Sequence, residues 1–128
     1  MAKPIMVIDF ERVVTIKSVA ETGIVFSDGS TLSYVHQQDC CENVYADFEA
    51  IKDELYTIDS FSKLIVSRVL GCGIRLHFGL ATYSVGYLFI PCYNQQNGYY
   101  NSNINLLFDG IGFAINEDIS DCVKDEIY

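Results

Sequence analysis

Asp28-Gly29 stands between Ile24-Val25-Phe26 and Thr31-Leu32-Ser33-Tyr34-Val35, and no other feature constrains the fold of this chain as tightly. Asp-Gly between two β-rich runs signals a hairpin, because glycine takes the positive φ that a tight turn demands. Glu21-Thr22-Gly23 makes an earlier turn after the alternating run over residues 12–19, and a short apolar run over 5–8 precedes it. Residues 1–35 are therefore expected as an antiparallel meander running directly into His36.

Beyond that point the period changes. Val44, Phe48, Ile51 and Leu55 recur at three- and four-residue spacing, which predicts a helix of two to three turns over residues 47–55. Residues 61–70 fit either a helix or a buried strand; the β-branched run favours strand. Ile74, Leu76 and Phe78 alternate with Arg75 and His77 as a half-buried strand. Residues 87–90 form a further strand that Pro91 is expected to stop. Asn97-Gly98 is a turn, Ile104, Leu106 and Phe108 alternate out of it, and Asp109-Gly110 starts another hairpin. The fold class is α+β: mainly antiparallel β-sheet with one or two short helices, in a single domain over residues 1–128. Residues 117–128, with five acids, read as an acidic tail or terminal helix.

Length and charge narrow the function. A chain of 128 residues, half of them hydrophobic, can bury a core without staples. It has neither the roughly 20 consecutive apolar residues of a membrane helix nor the apolar stretch of a signal peptide, so a soluble, cytoplasmic protein is expected. Seventeen acidic residues against eight basic ones give a formal charge of −9, which repels nucleic acid and favours a basic partner surface by steering. No phosphate-binding loop is present, because Gly71, Gly73 and Gly79 lie among strands without a following helix.

Residues 36–45, His-Gln-Gln-Asp-Cys-Cys-Glu-Asn-Val-Tyr, hold the densest polar chemistry. His36, Cys40 and Cys41 offer imidazole and thiolate donors, a set that selects zinc over magnesium or calcium. Joint ligation requires a turn at the cysteine pair, since neighbours on a strand point to opposite faces. Cys92, just after Pro91, is the fourth candidate ligand, with Cys72 and His77 in reserve. The competing reading puts Cys41 in the core, Asp39 at a cap and the His36 ring on a backbone carbonyl. Cys72 and Cys122 are read as core or incidental. An enzyme would use Cys40 or Cys41 as nucleophile, with His36 or His77 as base and Asp39 as orienter. The tyrosine-rich segment 93–100 is a candidate contact surface.

His36-Gln-Gln-Asp-Cys-Cys-Glu42 and the later Asn97-Gly-Tyr-Tyr100 together resemble a family of small, uncharacterised proteins of phages and prophages. That family carries His-Asp-Gln-Asp-Cys-Cys-Glu and a later Asn-Gly-Tyr-Tyr. The resemblance spans residues 13–108, with Gln37 standing where the family has aspartate. It implies a β-rich domain of mobile-element origin. By analogy of size, charge and setting the chain is similar to anti-CRISPR proteins, which would make its partner a CRISPR effector of the Cas9 type. An acidic face would dock there on a basic nucleic-acid channel of a host bacterium's effector.

Overall fold

A computed structural model describes residues 2–36, 43–95, 103–109 and 114–122. The described strands are β1 (Ala2–Val14), β2 (Ile16–Ala20), β3 (Gly23–Phe26), β4 (Thr31–Val35), β5 (Asn43–Ala46), β6 (Phe61–Val69), β7 (Gly73–Leu80), β8 (Tyr83–Gln95), β9 (Asn103–Phe108) and β10 (Ala114–Asp118). They form two five-stranded sheets in the orders β1-β6-β7-β8-β5 and β10-β9-β4-β3-β2, with every pairing antiparallel. A 3-10 helix, Phe48–Thr57, packs against β8 and β2. The expected α+β class holds, with sheet predominating, and no helix among the described residues is long and apolar enough to cross a membrane.

Alternation decides what each strand buries. Ile24, Phe26, Leu32, Leu64, Val66, Ile74, Leu76, Phe78, Leu88, Ile90, Ile104 and Leu106 all point inward and are buried. The ring of Phe10 meets Phe26, Phe61 and Phe108 edge-on at 5.0, 5.6 and 5.7 Å, so one aromatic cluster joins the two sheets. Residues 61–69 are a strand, as their β-branched run favours.

Three sequence expectations shift. The run over 12–19 is two strands, because Thr15 leaves the ladder: Val14 still pairs with Phe61 in the first sheet, while Ile16 pairs with Phe26 in the second. The Thr15 N–H donates to Ser27 Oγ at 2.9 Å and its carbonyl accepts from Ser27 N at 2.8 Å, which fixes the crossing. The meander is thus β2-β3-β4, and β1 belongs to the other sheet.

Pro91, expected to end a strand, lies inside β8. Its carbonyl accepts from Asp47 N on the side away from β7, so its missing N–H would have pointed there too and the β7 ladder loses nothing. From Cys92 onward β5 takes over that other side. Finally, of residues 117–128, expected as an acidic tail or terminal helix, 123–128 lie outside the described residues and 117–122 pack on the sheets. Glu117 and Asp118 finish β10, and Ile119 and Cys122 are buried.

Candidate functional site

The four residues expected to bind zinc divide between described and undescribed parts of the chain. Cys40, Cys41 and Asp39 lie outside the described residues. His36 follows β4, and its Nδ1 lies 2.5 Å from the Asn103 carbonyl, the backbone contact that the competing reading assigned to it. Cys92 faces the core, 3% exposed, on β8 opposite Ala46. Among the described residues no group of three or more His, Cys, Asp or Glu side chains is placed to hold a metal. Of the reserves, Cys72 is exposed on the β6–β7 turn and His77 is half-buried on β7.

The cysteine at the end of the described chain is the one the structure brings to Cys92. Cys92 N donates to the Cys72 carbonyl at 3.0 Å and Asn94 N to the Cys122 carbonyl at 2.9 Å, so residues 72 and 122 line the edge of β8 that β7 has left. The two inward thiols are neighbours there. Cys92 Sγ lies 3.9 Å from the Ile90 carbonyl, and its interaction with the Cys122 thiol, together with burial, pushes the Cys92 thiol far above the ordinary thiol range. The interaction with Cys92, and Arg68 Nη1 at 3.7 Å, hold Cys122 below its ordinary value despite desolvation and the Asp121 carboxylate, whose Oδ1 lies 3.8 Å from the Cys122 sulfur.

Arg68 organises this end of the molecule. It lies on the inward face of β6 with Leu64 and Val66, and its side chain is 3% exposed. A charge so placed needs partners for every donor. Nη1 donates to the carbonyls of Val69 and Gly73 at 2.9 and 3.1 Å, and Nη2 to the Asp118 carbonyl at 3.2 Å and Asp121 Oδ1 at 2.5 Å. Nε lies 3.6 Å from Glu117 Oε1. Asp121 also accepts from Gly71 N at 2.7 Å. Burial would raise the Asp121 carboxyl, but the Gly71 N–H and the guanidinium outweigh it and hold the group below its ordinary value. Sequence reasoning passed over Arg68. Its signal was a cation at the inward parity of an apolar strand, with a cluster of acids at the far end of the chain.

The opposite face of the same sheet is open. Val7, Ile65, His77 and Tyr87 lie side by side across β1, β6, β7 and β8. His77 stacks on Tyr87 at 4.5 Å, the Arg75 guanidinium stands 5.2 Å from the same ring, and Phe89 is partly exposed beside Arg75. His77 Nε2 lies 3.1 Å from Ser84 Oγ, the contact a serine nucleophile would need. Among the described residues the imidazole is steadied by a tyrosine ring, and no carboxylate stands there as the orienting third group of a triad.

Acidity concentrates elsewhere. Phe48 and Ile51 anchor the 3-10 helix in the core, while Glu49, Asp53, Glu54 and, just beyond its end, Asp59 are exposed. With three residues per turn, Asp53 and Tyr56 share one outward stripe, and Tyr56 is 85% exposed. The helix's single cation, Lys52, sits 3.7 Å from Glu49. A cleft of about 630 Å³ adjoins this element, lined by Ile58, Asp59, Ser60, Thr15 and Tyr83 among others.

No known protein family, curated protein or solved structure matches the chain.

Proposed function

We propose that the chain is an interaction protein that meets a basic surface of a partner protein through the acidic 3-10 helix. The observation that carries this reading is Tyr56, an almost fully exposed aromatic ring beside Asp53 and Glu54 on an element anchored by Phe48 and Ile51. Tyrosine is among the residues that most often dominate binding energy at interfaces, and surrounding carboxylates steer a basic partner towards it. The helix itself carries Glu49, Asp53 and Glu54 against the single cation Lys52, so its exposed face is net acidic. In the setting implied by the resemblance, the first partner to test is a Cas9-type effector, whose guide and target channel is basic.

Titrating the purified chain into a guided DNA-cleavage reaction tests this. Inhibition at low salt should weaken as salt shortens the Debye length to about 8 Å at physiological ionic strength. Tyr56→Ala and the double reversal Asp53→Lys/Glu54→Lys should lose inhibition while leaving the unfolding transition in place. Inhibition that survives both variants would move the interface off the helix, and inhibition unchanged from low to high salt would remove steering from the account.

A further inference from the structure

The paired thiols beneath Arg68 have no part in the proposed interface, and their placement suggests a chemistry of its own. Cys92 and Cys122 are 3% and 1% exposed and come from segments 30 positions apart, which the bond from Asn94 N, two residues along the same inward face of β8, to the Cys122 carbonyl joins. Arg68 Nη1, 3.7 Å from Cys122 Sγ, is a fixed positive charge beside one of the two sulfurs and favours its thiolate against the Asp121 carboxylate, 3.8 Å from the same sulfur. We propose that Cys92 and Cys122 are a redox pair, converted by a peroxide into a disulfide that fastens the segment after β10 to β8.

The steps balance. The Cys122 thiolate attacks one oxygen of hydrogen peroxide; the O–O bond breaks, a sulfenic acid forms on Cys122 and the leaving hydroxide takes a proton to become water. The Cys92 sulfur then attacks the sulfenic sulfur; the S–S bond forms, the S–O bond breaks, and the departing hydroxide removes the Cys92 proton as a second water. Two thiols lose two electrons and two protons, and the peroxide is reduced to two waters.

Burial ordinarily keeps thiols inert, so the oxidant must enter by local opening. Opening of residues 119–122 would admit it: Ser120 and Asp121 are already exposed, and what must part is Asp121 from Arg68 and Gly71, Cys122 from Asn94 and Arg68, and the buried Ile119 from the core. Once formed, the link joins β8 of the first sheet to the segment leaving β10, the edge strand of the second. It would hold down the very segment that had opened.

The test treats the full chain carrying Cys40→Ser, Cys41→Ser and Cys72→Ser with hydrogen peroxide, then measures intact mass and free thiols after denaturation. The expected result is a loss of the mass of two hydrogens, no alkylatable thiol, a higher unfolding temperature, and reversal of all three by dithiothreitol. Oxygen added to one cysteine without a link, or two thiols still free, would overturn the proposal. If the triple variant fails to fold, the unsubstituted chain is oxidised and digested at aspartate, since no Lys or Arg lies between Arg75 and Lys124 for trypsin to separate the pair. A peptide linking Cys92 to Cys122 supports the inference; links confined to Cys40, Cys41 and Cys72 overturn it. Zinc retained by the reduced protein and released by Cys92→Ser would also overturn it, because that thiol would then be a ligand.

Discussion

Arg68 and Arg75 stand on neighbouring strands of one sheet, Arg68 opposite Ile74 and Arg75 opposite Ser67, yet they do unlike work. One step of strand register separates an inward guanidinium from an outward one. Arg68 is desolvated and holds carbonyls and carboxylates from the β6–β7 turn and from the last described residues. Arg75 keeps its water and lies over the exposed ring of Tyr87. The lesson is that charge type matters less than face. A buried cation commits every neighbour to satisfying it, whereas an exposed one commits almost nothing.

The strongest way to break this contrast is to truncate both. Arg68→Ala strips partners from Asp121, Glu117 and three carbonyls, and removing one member of a buried ion pair costs about 3–5 kcal/mol. Denaturant unfolding should show that loss. A change no larger than that of Arg75→Ala would mean the buried network contributes nothing beyond packing.

Next in size is Gly73→Ala, at the turn that feeds a carbonyl to Arg68. Its φ is +155°, and a methyl there would come within 2.2 Å of the Ile90 carbonyl oxygen. A loss of about 2–3 kcal/mol is expected, in the range of backbone strain and core overpacking. Unfolding midpoints settle it, and an unchanged midpoint would show that β7 and β8 can part at this point without cost.

Asp121→Asn probes the same network by pH. The Asp121 carboxyl ionises below its unfolded value of 3.8, so its contribution is fully present above that pH and is lost as pH falls through the lower folded value. Below that window the parent and the variant should converge in stability, and above it the parent should be the more stable. Asp121 is partly solvated, with 38% of its side chain exposed, so the gap is expected to be smaller than for Arg68→Ala. A gap that persists unchanged into acid would assign the effect to shape rather than charge.

At the small end, Arg75→Ala removes a solvent-exposed cation–π contact of about 0.5–1 kcal/mol at most. Thermal unfolding should shift little, and a large shift would mean that Arg75 contacts more than the described residues show.

Much of the fold was legible in local sequence. Asp28-Gly29 marked its hairpin, and the alternation of Ile74, Leu76 and Phe78 marked a half-buried strand, because both signals act over a few residues. Thr15 and Pro91 misled for one reason. Each sits where a strand exchanges partners between sheet edges, and only the pairing shows that an interrupted run continues elsewhere or that a missing N–H faces an unused side. The site was less legible. Sequence density drew attention to Cys40 and Cys41, while the Arg68 cluster draws on residues up to 54 positions apart, each unremarked in its own neighbourhood.

Composition and periodicity, properties of neighbours along the chain, were enough for a β-rich chain, a net acidic charge and one or two short helices, one of them over residues 47–55 with Phe48 and Ile51 in its apolar spacing. The tertiary structure decided which arginine is buried, that residues 117–122 dock rather than trail, and that Cys92 meets Cys122. Those outcomes depend on the order of strands in two sheets. The free energy of placing a charge or a thiol in the core is set by groups that only strand pairing brings within reach.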